Sequence, residues 1–336
     1  MSLPKPTSLG LIACPGTEAF TADIVENIQQ LYIKKTNRKA DSIAIKYGLE
    51  STEIIRKLNF TVDLHNPVVD PDGPTDSLSV PPFTIDVRFT RFANGEFKAE
   101  ILNSIRGVDI YIIQDVENHY PCTFYNDECS YSLSVNDHVM LLFATIDAAM
   151  QASARSVTVV VPAYPFARQH RKKGREALTA SWFGRTLENM GVVRIITLDI
   201  HSKEIENSFN RLRLENLHAS YQTVKKLSEL IDLRSTDLVV VSPDTGAVDR
   251  NKYYAGNLKR PLALIYKERD YSKLTLNADE NNITKMNLLG SVTGKTVFMA
   301  DDILGSGGTL IKAMKYLKEQ GAESVIAAVS LPLFTG

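Results

Sequence analysis

Short apolar runs alternate along the chain with segments whose apolar residues recur every three or four positions. The second kind predicts amphipathic helices, such as Thr179–Met190, ended by Gly191, and Leu310–Gln320, ended by Gly321. Apolar runs that alternate with helices are typical of a mainly parallel sheet covered on both faces, in which ligands bind beyond the carboxyl ends of the strands. The predicted strands of this α/β fold are Asp109–Gln114, Val157–Val161, Val193–Leu198, Leu238–Val241, Leu262–Ile265, Val297–Ala300 and Ser324–Val329.

Two segments interrupt this alternation. Lys34–Pro82 is polar and ends in D-P-D-G-P-T-D-S-L-S-V-P-P, which predicts an insertion with its own helix over Ser51–Leu58. Glu117–Asn136 contains N-H-Y-P-C-T-F-Y-N-D-E-C and is predicted to be a long surface loop. The length of 336 residues favours two domains over one, and we expect them at 1–180, which includes the insertion, and 181–336.

The composition is that of an ordinary globular protein, with 44% hydrophobic and 23% charged residues. A formal net charge of −1 gives no overall attraction to nucleic acid or to an anionic membrane, so we expect neither partner. The three cysteines are odd in number and lack a C-x-x-C spacing, which favours a reducing compartment. The first apolar run is too short for a signal peptide, and no run reaches the length of a membrane span. These features predict a cytoplasmic protein.

The stretch V-F-M-A-D-D-I-L-G-S-G-G-T-L, residues 297–310, joins a predicted strand to a predicted helix that starts near Thr309. Glycines before a helix let backbone N–H groups turn towards an anion, which the helix N-terminus also attracts. Asp301 and Asp302 would repel a phosphate beside them, but they suit sugar hydroxyls, bound directly or through Mg²⁺. A phosphate and a diol together describe a ribose 5-phosphate. The alternative is an acidic turn followed by a glycine-rich helix cap.

Three further motifs follow predicted strands. Pro162–Ala180, P-A-Y-P-F-A-R-Q-H-R-K-K-G-R-E-A-L-T-A, is strongly cationic; such runs are usually solvated or bind nucleic acid, but its place after a strand favours a polyphosphate. L-D-I-H puts Asp199 and His201 beyond the next strand, where a histidine is as often structural as functional. In V-V-V-S-P-D-T-G-A-V-D-R, Asp244 is a candidate ligand of hydrated Mg²⁺ and Arg250 a candidate anion ligand.

In this order the motifs resemble those of the phosphoribosyl diphosphate synthases, the ribose-phosphate diphosphokinase family, from about Arg91 to Gly336. R-F-A-N-G-E-F at Arg91–Phe97 and Y-K-E-R at Tyr266–Arg269 complete the set. The resemblance implies two phosphoribosyltransferase-like domains and Mg²⁺-dependent transfer of the diphosphoryl group of ATP to the C1 hydroxyl of ribose 5-phosphate, with AMP as the other product. It also implies a homo-oligomer built from dimers, as in the hexamers of the family.

The resemblance assigns roles to individual positions. The nucleotide-binding positions would be Phe92, Asn94 and Glu96, which in the family reach the adenine of a neighbouring subunit, together with Arg168, Gln169 and His201. The ribose 5-phosphate positions would be Asp301, Asp302, Ser306, Gly307, Gly308 and Thr309. His201 and Asp244 would serve the metal, and Lys267 and Arg269 would be the catalytic cations.

The chain departs from the family pattern at several positions. Gly305 stands where the family usually has an acidic residue, and His170 stands where it has an aspartate. L-P-L-F-T-G replaces the usual T-H-G-[LIF]-F-S-G. Two alternatives to an active synthase therefore stay open: a catalytically silent homologue that binds nucleotide and regulates a partner, and a phosphoribosyltransferase, for which the cationic loop and Y-K-E-R would be superfluous.

Overall fold

The computed structural model describes residues 9–64, 77–125, 127, 129–172, 174–269 and 283–335, with the backbone alone at 267–269 and 283–285. The chain forms two compact units. Unit 1 comprises Met1–Thr197 and Lys203–Glu215, and unit 2 comprises Leu198–Ser202 and Asn216–Gly336. Unit 1 extends beyond the boundary predicted at residue 180, because one more helix and most of two more strands belong to it.

A five-stranded sheet forms the centre of unit 1. Its strands are β1 (Leu9–Ala13), β4 (Asp109–Ile113), β7 (Ser156–Val160), β8 (Arg194–Leu198) and β9 (Arg213–Leu217), which lie side by side in that order. The pairs β1–β4, β4–β7 and β7–β8 are parallel, as the continuous apolar runs predict. Side chains such as Ile12, Ile112 and Val159 are fully buried, and each contributes about 1.5–3 kcal/mol to stability.

The helices of unit 1 differ in part from those predicted for the insertion at Lys34–Pro82. A helix does begin at Ser51, but the preceding helix runs without a break through Lys34 and ends only at Gly48, whose φ of 66° closes it in the left-handed conformation. Residues 65–76 of the predicted insertion lie outside the described part of the chain. The helices are α1 (Glu18–Tyr47), α2 (Ser51–Asp63), α3 (Val135–Gln151) and α4 (Thr179–Asn189), with a 3₁₀ turn at Lys203–Ser208.

Two hairpins complete unit 1, β2 (Val87–Arg91) with β3 (Phe97–Ile101) and β5 (Cys122–Thr123) with β6 (Ser130–Tyr131). The second hairpin lies within the predicted surface loop, and its described residues pack on the first hairpin. Phe124 is 4% exposed, with its ring centroid 5.6 Å from that of Phe97 and 6.4 Å from that of Tyr131. The Arg91 guanidinium lies 4.2 Å from the centre of the Tyr131 ring. Aromatic stacking therefore gives this segment a packed structure that its polar composition conceals.

Unit 2 contains a second five-stranded sheet and three helices. The elements are α5 (Ser220–Leu230), β10 (Leu238–Ser242), α6 (Val248–Leu258), β11 (Leu262–Arg269), β12 (Ile283–Leu289), β13 (Thr296–Leu304), α7 (Gly308–Glu319) and β14 (Ser324–Pro332). The strands lie in the order β12-β11-β10-β13-β14, and within this sheet only the β11–β12 pair is antiparallel.

The sheet of unit 2 is covered on both faces. Helix α7 packs on the face that carries Val241 and Met299, whereas α6 packs on the face that carries Val240 and Phe298. Successive residues of one strand are thus buried on opposite faces, which explains the unbroken apolar runs.

Both units therefore confirm the predicted α/β architecture of mainly parallel sheets flanked by helices. Within the described residues, no helix combines the length and the apolar composition that crossing a membrane requires.

Candidate functional site

The two adjacent carboxylates lie near the end of β13 and curl back on their own backbone. Asp301 Oδ1 accepts a hydrogen bond of 2.9 Å from the N–H of Asp302, whose own Oδ1 accepts one of 2.8 Å from Ile303. The other oxygen of Asp302, Oδ2, lies 2.7 Å from Nδ1 of His201. The structure thus joins a residue predicted for the sugar to one predicted for the nucleotide and metal, both within unit 2.

The two carboxyl groups titrate in opposite directions. Burial raises the pKa of Asp301, and the negative charges of Asp302 and Asp244 raise it further. Burial also opposes ionisation of Asp302, but the hydrogen bond and charge of His201 outweigh it and hold the pKa of Asp302 below its usual range. One acid is therefore readily protonated while its neighbour stays ionised, as happens when like charges share a partly buried site.

Asp244 occupies the turn that follows β10. Its Oδ1 accepts hydrogen bonds from the backbone N–H groups of Gly246, at 2.9 Å, and Ala247, at 3.1 Å. The hydroxyl of Ser242 donates to the Asp244 carbonyl at 2.7 Å. These bonds close the S-P-D-T-G-A turn and fix the direction of the carboxylate.

The described residues contain no group of three or more His, Cys, Asp or Glu side chains arranged to hold a metal ion. Mg²⁺ does not require such a group, since it usually keeps several waters and binds through one or two carboxylates together with substrate phosphates. The charge of Asp244 acts on Asp301 as an unfavourable interaction, which a divalent cation would relieve. One or two carboxylates beside a substrate phosphate are enough for hydrated Mg²⁺, and Asp244, whose charge reaches Asp301, fits that requirement.

The glycine turn leads directly into α7, which begins at Gly308, close to the predicted start near Thr309. Gly307 is the N-cap residue and has a φ of 81°, a left-handed conformation that glycine adopts without steric cost. No side chain of the described residues caps this helix end through the N-cap position. A helix N-terminus that follows a glycine turn is the kind of end that attracts an anion, and the binding of a phosphate here stays a prediction.

Asp199 is the centre of a polar network that sequence reasoning did not identify. Its carboxylate accepts a short hydrogen bond from Ser330 Oγ, and bonds from Nδ1 of His218 at 2.8 Å and the N–H of Ala219 at 3.2 Å. Arg250 Nη1 lies 2.9 Å from the same carboxylate. Burial opposes ionisation, but these donors and the arginine charge together hold the pKa of Asp199 below its usual range.

This network changes the expected role of Arg250 and fixes the segment that carries His201. Arg250 was expected to bind an external anion, whereas its guanidinium pairs with Asp199, which is 3% exposed. Asp199 itself has a φ of 43°, a left-handed conformation that is costly for a residue other than glycine. The only signal in the sequence was the position of Asp199 two residues before His201, and it did not reveal the partners.

The three residues assigned to adenine, Phe92, Asn94 and Glu96, form the tip of the β2–β3 hairpin in unit 1. Phe92 donates its N–H to the Glu96 carbonyl at 2.8 Å, and Asn94 Oδ1 accepts from the N–H of Glu96 at 3.2 Å. Gly95, with a φ of 91°, permits the tight turn between them. The ring of Phe92 is 44% exposed, which leaves a large apolar surface at the tip.

The cationic loop of unit 1 leaves Arg168 and Gln169 exposed ahead of α4. The N–H of Gln169 donates to the Phe166 carbonyl at 2.7 Å, and this turn sets the direction of the loop. Arg171 is bound by both carboxylate oxygens of Glu204, at 3.1 and 2.7 Å, so its charge is partly neutralised. Lys173 lies outside the described residues.

Lys267 and Arg269 lie near the end of β11, where they pair in register with Met286 and Ile283 of β12. Their side chains are outside the described part of the chain, so their catalytic role stays a prediction.

Comparisons with known proteins agree with this architecture. Residues 76–191 match the family described as the N-terminal domain of ribose phosphate pyrophosphokinase, and residues 210–332 match the phosphoribosyl transferase domain. The chain is 37% identical over 249 residues to the ribose-phosphate pyrophosphokinase of Bacillus subtilis, covering 74% of this chain and 70% of the relative. It is 36% identical to that of Corynebacterium ammoniagenes, over 73% of this chain and 69% of the relative.

A solved structure gives the same result. The phosphoribosylpyrophosphate synthetase of Mycobacterium smegmatis superposes with a TM-score of 0.60 and 30% sequence identity, covering 74% of both chains. The match over residues 210–332 includes the whole second sheet and the acidic pair with its glycine turn. The chain belongs to the ribose-phosphate pyrophosphokinase family.

Proposed function

We propose that this chain is an active ribose-phosphate diphosphokinase. It transfers the diphosphoryl group of ATP to the C1 hydroxyl of ribose 5-phosphate and forms 5-phosphoribosyl 1-diphosphate and AMP. The observation that carries the proposal is the arrangement at the end of β13, where an acidic pair, one member of which is bonded to His201, precedes a glycine turn and a helix N-terminus. The family membership supports the same reaction.

Ribose 5-phosphate is proposed to bind along this stretch of unit 2. The 5-phosphate accepts hydrogen bonds from the backbone of Ser306, Gly307, Gly308 and Thr309, while Asp301 and Asp302 accept hydrogen bonds from the sugar hydroxyls. What supports this division is charge: the two carboxylates repel a phosphate, whereas the turn presents backbone N–H groups at the positive end of α7.

Mg²⁺ is the proposed cation, and Asp244 and His201 are the residues that would hold it. The bond between His201 Nδ1 and Asp302 fixes the orientation of the ring, as an outer partner does for a histidine that serves a metal. When bound, Mg²⁺ would offset the negative charge of the triphosphate.

ATP is proposed to contact Phe92, Asn94, Glu96, Arg168 and Gln169, with Lys267 and Arg269 binding the charge that develops on the transferred group. The reaction needs no covalent enzyme intermediate: the C1 oxygen attacks the β-phosphorus in line as the bond to the α-phosphate oxygen breaks. Positioning and charge stabilisation are thus the main contributions of the chain. The exposed Phe92 ring supports the proposal that the hairpin tip binds a nucleobase by stacking.

The family resemblance supports the further proposal of a homo-oligomer built from dimers. A cytoplasmic location is also proposed, since the cysteine pattern favours a reducing compartment. Sedimentation velocity of the purified protein tests the assembly. A single monomeric species at micromolar concentration would refute it.

The test of the reaction is an assay with ATP, Mg²⁺ and ribose 5-phosphate that follows AMP and phosphoribosyl diphosphate together. We expect the two products in equal amounts. The second candidate, a nucleotide-binding regulator without activity, is favoured by Gly305 at a position that is usually acidic. Binding of ATP without formation of either product would support that candidate.

A further inference from the structure

Asn251 is fully buried in the first turn of α6, at 0% exposure. Its Nδ2 donates to two backbone carbonyls, those of Ala247 at 2.9 Å and Ala300 at 2.8 Å. Its Oδ1 accepts from the N–H of Ala300 at 2.9 Å. All the contacts would be lost if the amide were turned over, since oxygen would then face oxygen, so the pattern itself fixes the orientation of the group.

The Asn251 amide replaces a missing part of the sheet. The parallel register of β10 with β13 ends at Val240 and Phe298, two residues before Ala300. Further along β10 the chain reaches Pro243, which has no N–H to donate. A carboxamide has the donor and acceptor of a peptide group, and here it gives Ala300 both bonds at once.

Ala300 directly precedes Asp301 and Asp302, so its backbone sets where the acidic pair emerges from the sheet. Ala300 is 2% exposed, and without Asn251 its N–H would be buried without a hydrogen-bond partner, which is unfavourable. A small rotation of this peptide would be the cheapest way to recover a hydrogen bond. The same rotation would move both carboxylates, and misplacement by about 1 Å can reduce a rate on the order of a hundredfold.

The first turn of α6 also acts on the other partner of the acidic pair. Arg250, the residue before Asn251, binds Asp199 at 2.9 Å, and Asp199 lies two residues before His201. Asp244 is in the turn that leads into α6. The helix start therefore has a direct contact with, or a short connection to, each of the three segments that carry His201, Asp244 and the acidic pair.

We propose that Asn251 is a positioning residue for ribose 5-phosphate: its carboxamide holds the backbone at Ala300 and so sets the place of the Asp301 and Asp302 carboxylates. This inference rests on the proposed function of that acidic pair. Tyr254 and Ala255, three and four positions further along the same helix, are buried apolar residues, so burial on this face of α6 does not by itself require an amide.

The test is the pair of variants Asn251→Leu and Asn251→Ala. Leucine keeps the number and branching of the side-chain heavy atoms, though it is larger, and removes all three hydrogen bonds. Alanine leaves space for a water and serves if the leucine variant does not fold. Titration calorimetry with ribose 5-phosphate and, separately, with Mg²⁺–ATP gives the two dissociation constants, and turnover gives both KM values. We expect ribose 5-phosphate to bind about tenfold or more weakly, with ATP affinity changed less than about twofold.

Asn257→Leu is the matched control, because Asn257 lies in the same helix, is exposed and donates to the Tyr253 carbonyl of that helix at 3.0 Å. It should leave both affinities as they are. Equal losses for the two ligands, or a lower melting temperature with both affinities intact, would make Asn251 purely structural and overturn the inference. A wild-type protein that binds ATP but not ribose 5-phosphate would overturn the proposed function, and this inference with it.

Discussion

His201 Nδ1 and Asp302 Oδ2 lie 2.7 Å apart, which makes one hydrogen-bonded unit of the proposed metal site and the proposed sugar site. The pair accounts for the ionised state of Asp302, because the histidine outweighs the burial that would otherwise raise the carboxyl pKa. Each residue therefore acts on the other: His201 keeps Asp302 ionised, and Asp302 orients the ring of His201.

His201→Ala should move the acidic limb of the pH profile for kcat/KM of ribose 5-phosphate to higher pH. Without the histidine, burial dominates and the pKa of Asp302 rises, so the carboxylate is lost earlier as the pH falls. The variant should also be slower throughout, owing to the proposed metal role. His218→Ala, which removes a partner of Asp199 and none of Asp302, is the control. An acidic limb that stays in place would refute the coupling.

Asp301→Asn should stabilise the metal-free protein above neutral pH. The pKa of Asp301 is raised from 3.8 to about 7 by burial and the charges of Asp302 and Asp244. Between these values the folded state binds more protons than the unfolded state, so wild-type stability falls as the pH rises through the window. Asparagine cannot ionise, and its advantage should grow from near zero at about pH 4 to on the order of 4 kcal/mol at about pH 8.

Urea unfolding of both proteins in the presence of a chelator, from acidic to mildly alkaline pH, measures this difference. An advantage of the same size at every pH would contradict the assigned ionisation. Adding Mg²⁺ should reduce the advantage, because a cation near Asp244 and Asp301 stabilises the charged wild-type site more than the neutral variant.

Gly307→Ala should weaken ribose 5-phosphate binding and lower stability by about 1 kcal/mol, since a left-handed φ of 81° is unfavourable for alanine. The added methyl group would meet Leu304 and Ile311 only at 3.6 and 3.9 Å, so backbone conformation and not collision causes the loss. Gly256→Ala in α6 is the control, because nothing lies within 4 Å of its added methyl group. Equal behaviour of the two variants would refute the requirement for glycine in the phosphate turn.

Phe124→Ala tests whether the segment 117–134 supports the proposed adenine hairpin. Removal of a buried ring stacked on Phe97 should cost about 3–5 kcal/mol and raise the KM for ATP more than that for ribose 5-phosphate, because Phe92 then loses its fixed position. Tyr120→Ala, at an 81% exposed position in the same segment, should change neither. If the KM values of Phe124→Ala for the two substrates rise in parallel, the hairpin has no separate role in nucleotide binding.

The sequence predicts the sheets well because strands that are buried on both faces are continuous runs of apolar residues, as at Val239–Val241 and Val297–Ala300. It fails where aromatic stacking organises a polar segment, since Phe124 and Tyr131 are scattered among turn residues. The sequence pattern also fails to predict β1 and α1. Helix α1 has only four buried residues in 30, so its amphipathic pattern is weak.

At the candidate site, the sequence locates the carboxylates, His201 and the glycine turn because strand ends and helix starts are visible as local patterns. The residues that hold them are invisible in that way. Asn251 and Ala300 are 49 positions apart, and so their contact depends on how α6 packs on the sheet. Likewise, the Asp199 network joins Arg250 and Ser330, which are distant in the sequence of unit 2. Arg250 was expected to bind an anion, but in the structure it forms an ion pair with Asp199.

The most direct test of the central claim compares wild type with Asp302→Asn in initial rates of phosphoribosyl diphosphate formation, with ATP and ribose 5-phosphate varied in turn. If the acidic pair binds the sugar, the variant should lose about tenfold or more in kcat/KM for ribose 5-phosphate, while its KM for ATP stays within about twofold of wild type. Equal losses for the two ligands, or a wild-type protein that forms no product, would contradict it.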